Sequence, residues 1–145
     1  KAVLPLDWGA FIPLWYTARL HDPTPQVVVC APDRRLPRET LVRFGVAVAE
    51  VAETTERRVA LIASCDQGHA HDPEGPYGYD PMSVEHDRAM CAAIETDDLP
   101  SLIDWPEEFL EAAKVDAYWQ TIVLAGALGV VPLRGTLLSY EAPTY

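Results

Sequence analysis

Val59-Ala60-Leu61-Ile62-Ala63, followed at once by Ser64-Cys65-Asp66-Gln67-Gly68-His69-Ala70-His71, is the stretch on which the fold reading turns. The first five residues form an unbroken apolar run after Arg57-Arg58, the pattern of a strand buried on both faces. The polar residues that follow carry two histidines, at the point where an open α/β sheet binds ligands beyond the carboxyl ends of its strands. Spacing alone does not separate a site from an ordinary surface turn, because His-x-His in a loop is a weak signal.

Upstream, Leu41, Phe44, Val48 and Val51 recur at helical spacing after Pro37, which predicts an amphipathic helix over Arg38–Thr54. Before it, Gln26-Val27-Val28-Val29-Cys30 is a β-branched run that reads as another buried strand. Strand, helix and strand in that order make a right-handed crossover between parallel strands. The predicted class is α/β, a three-layer α/β/α arrangement around a central mostly parallel or mixed sheet that is incomplete in this chain. Nearer the start, Lys1–Leu4 suits a short strand, Ala10–Arg19 a mostly apolar helix and His21 a turn.

Downstream, Met82–Glu95 reads as a helix turning Val84, Met90, Cys91 and Ile94 to a core and Glu85, His86 and Asp87 to water. Leu99–Trp105 and Pro106–Lys114 suit short helices, Ala117–Leu128 a helix apolar on nearly every side and therefore buried, with Gly129 as its stop. Arg134–Tyr140 reads as a last strand closing at Glu141. With no internal repeat or linker, residues 1–145 are expected to form a single domain.

Composition narrows the function classes. Of 145 residues 22 are acidic and 11 basic, a formal net charge of -11, which disfavours a nucleic-acid partner because no basic stripe exists to displace counterions. No apolar run reaches the ~20 residues that span a bilayer, so a soluble, cytoplasmic protein is expected. Cys30, Cys65 and Cys91 are odd in number and widely spaced, which suits reduced thiols. Cys65 reads as a buried thiol rather than a nucleophile, since Asp66 beside it opposes thiolate formation. The chain starts on Lys1 and ends just after an apolar run, as a piece of a longer polypeptide would.

A carboxylate closing an apolar strand is costly unless it is paired, solvated or bound to a metal, and for Glu141 the sequence leaves these open. Two histidines and one carboxylate are the ligand set of non-haem Fe(II) oxygenases. A zinc-type hydrolytic site drawn from His69, His71 and Glu141, with Asp66 beside them, is the other metal reading of the same residues.

Ile62–His69, with its Ser-x-Asp-x-x-His pattern, and Gly75-Pro76-Tyr77-Gly78-Tyr79-Asp80-Pro81 resemble the corresponding segments of the class III extradiol ring-cleavage dioxygenases. That is the superfamily of the catalytic beta subunit of protocatechuate 4,5-dioxygenase. Leu6–Leu14 is similar to the family's Asp-His-Gly segment with its following Pro-Leu, and Leu137–Tyr145 to its C-terminal segment. The order is preserved over the whole chain, which corresponds to about the C-terminal half of a member. The resemblance implies that His69 is the acid/base that accepts a proton from a bound catechol, and that Glu141 is a ligand of Fe(II). It implies a catechol-type or aminophenol-type substrate, O₂ as co-substrate, and a homo-oligomer or association with a missing N-terminal half. The family's two histidine ligands lie in that N-terminal half, and no segment here matches them. Trp8 stands where many members have a pocket histidine, which bears on substrate identity. His71, Tyr77, Tyr79 and Asp66 are further pocket candidates, and a turn role suits the two tyrosines equally. A non-catalytic companion subunit or protein-binding module of the same superfamily is the alternative to an enzyme.

Overall fold

The computed structural model describes residues 5–142. Among them the regular elements are α1 (Trp8–Thr17), α2 (Arg38–Thr54), α3 (Pro81–Glu95), a 3-10 turn (Leu99–Asp104), α4 (Glu107–Ala112) and α5 (Tyr118–Leu128). The expected strand at Lys1–Leu4 lies outside the described residues.

The core is a packing of α2 on α5, closed by the 3-10 turn, α3 and α4. Helix α2 has the predicted bounds but buries a different stripe: Leu41, Gly45 and Ala49 face inward, while Phe44 and Val51 are exposed. Two glycines cause this. A Cβ on Gly45 would sit 1.9 Å from the Val123 carbonyl oxygen, and one on Gly126 would sit 2.2 Å from that of Val42. The helices therefore touch backbone to backbone, and the small residues mark the seam. Around the seam Leu41, Leu102, Tyr118 and Ile122 are almost wholly buried. Helix α5 is buried along most of its length, as its composition predicts.

Arg38 ties the start of α2 across this core. Its guanidinium donates to the carbonyls of Ile103 (2.9 Å) and Trp105 (2.5 Å) and to Glu107 (2.8 Å), and lies over the Tyr118 ring. Helix α3 starts with Pro81 in its first turn and is capped by the Asp80 carboxylate, which accepts from the Met82 N–H at 2.9 Å.

The expected three-layer α/β/α fold is not what forms. The described residues contain no strand; their one β-type pairing is an isolated antiparallel bridge between His71 and Tyr79. Residues 26–30, 59–63 and 134–140 have no regular secondary structure and stand largely exposed, Val28 at 88% and Leu138 at 91%. A β-branched run states that a segment suits a pleat, but a strand exists only when another chain segment takes its N–H and C=O groups. Among the described residues no backbone–backbone hydrogen bond reaches these runs. Helix α1 is likewise unburied, with Trp8, Trp15 and Tyr16 turned outward.

The reading of α3 also needs correction. Its inward face is Ser83, His86, Asp87, Met90 and Ala93, so His86 and Asp87 are buried rather than solvated, whereas Val84 is exposed. These five positions keep helical spacing; polarity, not periodicity, hid them.

Candidate functional site

The loop from Ser64 to Asp80 is held mainly by main-chain groups. The His69 N–H donates to the Ala113 carbonyl (3.0 Å), and the Asp80 N–H to the Ala70 carbonyl (2.9 Å). Buried Ser83 bridges from α3: its hydroxyl accepts from the Ala70 N–H and donates to the Ala113 carbonyl, both at 2.9 Å. The Gly68 N–H donates to Asp87 Oδ1 at 2.8 Å. A Cβ at Gly68 would come within 3.0 Å of Asp87 and of the Ser83 backbone, so glycine is what allows the loop to lie this close to α3.

The side chain of His69 is thereby fixed. Nδ1 lies 2.8 Å from the Gln67 main-chain carbonyl, which can only accept, so Nδ1 carries the proton and Nε2 is the basic nitrogen of the neutral ring. Nε2 faces the Asp66 carboxylate at 3.5 Å, where a proton gained on that nitrogen would find a counter-charge. The Tyr77 ring meets His69 edge-on, with centroids 5.1 Å apart. Together with Lys114 and Asp116 these two residues line a cavity of about 100 Å³. Lys114 has a left-handed backbone (φ 53°), uncommon outside glycine, and the Arg34 side chain binds Asp116. Ligand pockets usually span roughly 300–1,000 Å³, so this cavity alone is too small to enclose a drug-sized ligand.

His71 points elsewhere. Its Nε2 lies 3.0 Å from Asp87 Oδ2, and its side chain is largely buried. Asp87 also meets His86 Nδ1 (Oδ1, 3.1 Å) and accepts from the Tyr140 hydroxyl (Oδ2, 2.6 Å). Burial raises the Asp87 pKa, but the hydrogen bonds from His86, Tyr140 and Gly68, with attraction to His86, outweigh it and hold the carboxyl below the ordinary value. His86 is packed against the Trp105 and Phe109 rings, and its buried Nε2 has no hydrogen-bond partner among the described residues.

Of the remaining sequence candidates, Tyr79 is exposed and bridges to His71, and Asp66 has a mostly exposed carboxylate. Trp8 is exposed at the first turn of α1; a Cβ on the neighbouring Gly9 would lie 3.7 Å from Ser64 Oγ, so that segment adjoins the histidine loop. Glu141 lies exposed on an irregular segment, one residue after the Tyr140 that bonds to Asp87. Cys65 is exposed as a residue rather than buried as expected; its sulfur contacts the Thr121 hydroxyl, and desolvation pushes the thiol up, opposed by Thr121 and reinforced by Asp66.

Among the described residues no group of three or more histidine, cysteine, aspartate or glutamate side chains is placed to hold a metal ion. His69, His71 and Glu141 are therefore not assembled as a zinc site. Nor do the described residues form the facial set of an iron site, which needs two imidazoles and a carboxylate turned toward one point: the imidazoles of His71 and His86 are each bonded to Asp87 itself.

The family model described as the catalytic LigB subunit of aromatic ring-opening dioxygenase matches residues 2–144. The chain belongs to that family. Protein CA_C1420 of Clostridium acetobutylicum is 26% identical over 136 residues, covering 94% of this chain and 29% of that protein. The chain thus spans under a third of the length of this curated relative. No helix among the described residues is long and apolar enough to cross a membrane.

Proposed function

We propose that this chain forms part of a non-haem Fe(II) extradiol dioxygenase that opens a catechol-type or aminophenol-type ring with O₂. In this reading His69 moves the proton and Glu141 is the carboxylate directed at iron. The observation that carries it is the Gln67 carbonyl at His69 Nδ1, which leaves Nε2 as the acceptor beside the cavity lined by Tyr77 and Lys114. Nε2 takes the proton of a ring hydroxyl, Asp66 stabilises the resulting imidazolium, and the pinned backbone keeps the ring in place through the transfer. Iron, where bound, supplies the meeting point of diol and O₂; its imidazole ligands lie outside this chain's described donors. Reduced Cys30, Cys65 and Cys91 support a cytoplasmic setting.

The test is His69→Gln in the full-length protein. Iron content is expected to be kept and ring opening, followed by oxygen uptake on a panel of catechols, slowed ~10²–10⁴-fold. Undiminished turnover removes His69 from the mechanism. A non-catalytic companion subunit is the second reading, since His71 and His86 are both bonded to Asp87 and not turned to the cavity at His69. Iron-loaded wild-type protein that consumes no O₂ with any catechol would select it.

A further inference from the structure

Asp87 touches both halves of the proposed site at once. It is 3% exposed, and its two oxygens together face four donors. Oδ1 receives the Gly68 N–H at 2.8 Å and His86 Nδ1–H at 3.1 Å; Oδ2 receives His71 Nε2–H at 3.0 Å and the Tyr140 O–H at 2.6 Å. A carboxylate offers about four lone-pair sites, so the group is saturated, and only as an ionised acceptor can it satisfy all four. Two of the donors flank His69: Gly68 precedes it and His71 follows by two. A third, Tyr140, immediately precedes Glu141.

These residues come from separate stretches of chain, 68–71 and 140, and both converge on one side chain of α3. We infer that Asp87 is the positioning residue of the site, the shared anchor that sets the loop of His69 and the segment of Glu141 relative to each other. This rests on the roles proposed above for His69 and Glu141. The two bonds on Oδ1 serve the loop and the α3 frame, while Oδ2 joins loop to C-terminal segment. Asparagine at this position keeps one acceptor but turns an NH₂ toward two groups that now donate, so its effect falls on that junction. Tyr140→Phe cuts the junction alone and leaves Gly68, His71 and His86 bonded.

The full-length protein is tested as Tyr140→Phe and Asp87→Asn. Backbone mobility over residues 136–142 is read by nitrogen-15 relaxation, and amide hydrogen exchange is read at Gly68, with ferrous iron titrated under argon. Tyr140→Phe is expected to raise mobility over 136–142 without speeding exchange at Gly68, and to weaken iron binding roughly 10–100-fold, the usual cost of losing a partner that orients a ligand. A thermal midpoint close to the parent's separates this from general loosening. Asp87→Asn is expected to raise mobility over 136–142, to speed exchange at Gly68 and also to lower kcat at saturating iron. Unchanged mobility over 136–142 in Tyr140→Phe overturns the inference. Should Glu141→Ala bind iron normally, the assignment of Glu141 fails instead, and the mobility data alone still decide whether Asp87 joins the two segments.

Discussion

Gly45→Ala should destabilise the fold by about 2 kcal/mol although alanine is the better helix former. The added methyl would lie 1.9 Å from the Val123 carbonyl oxygen and 2.9 Å from the Ala127 nitrogen. Both are backbone atoms of α5, so no side chain can swing away; the helices must part by roughly 1.5 Å to restore ordinary contact. Overpacking of this kind costs ~1–3 kcal/mol, and the rigid partner puts it near the upper end, while replacing helical glycine returns ~1 kcal/mol. Urea unfolding followed by far-UV circular dichroism measures the difference, which corresponds to a thermal midpoint lower by about 6 °C for a domain of this size. Gly9→Ala is the control: its Cβ would meet nothing closer than 3.5 Å, and stability should stay level or rise by up to ~1 kcal/mol. Adding Gly126→Ala to Gly45→Ala should cost less than Gly126→Ala alone, since the helices have already separated. A Gly45→Ala protein with the parent's urea midpoint would refute the backbone seam.

Glu141→Ala in the full-length protein should lose iron together with activity, and retained stoichiometric iron by metal analysis would make Glu141 structural. Tyr118 donates its hydroxyl to the Leu102 carbonyl, and Tyr118→Phe should cost ~1 kcal/mol in the same urea assay by removing that buried hydrogen bond. Desolvation, together with Glu107 and Asp104 and against Arg38, pushes the Tyr118 pKa up to about 12 from the ordinary 10.0. The folded protein therefore keeps this proton after the unfolded chain has lost it. Its contribution is full below pH 10.0 and is lost as pH rises through about 12, a loss that Tyr118→Phe should abolish.

The helices were legible because their signals are local. Pro37 and the apolar period mark α2, Asp80-Pro81 starts α3, and the uninterrupted apolar composition of α5 announces burial. The sheet was misread because Val27–Val29 and Val59–Ile62 show only what a strand would contain, and pairing is a property of the neighbouring segment. The packing face of α2 was missed for a related reason: periodicity selects the bulky residues, whereas the seam selects Gly45. Around the histidine loop, the motif drew attention to His69 and Tyr77, and these two side chains line one small cavity. Asp87 was not visible. A buried carboxylate looks like a solvated one until its donors are known, and here three of the four are distant in sequence; the useful signal was that His86 and Asp87 keep step with Ser83 and Met90 on α3.

The way Gly68, His69 and Ala70 are held bears on how such a site can diversify. Their grip comes from amides and carbonyls that every residue except proline provides, with Ser83, Asp87 and Ala113 as the receiving side. Where the imidazole stands and what surrounds it are thus written in different parts of the sequence. On the proposed reading, in which His69 is the base, Tyr77 and Lys114 can be exchanged to reshape the cavity without moving the imidazole, so new substrate preferences are accessible by single substitutions at its wall.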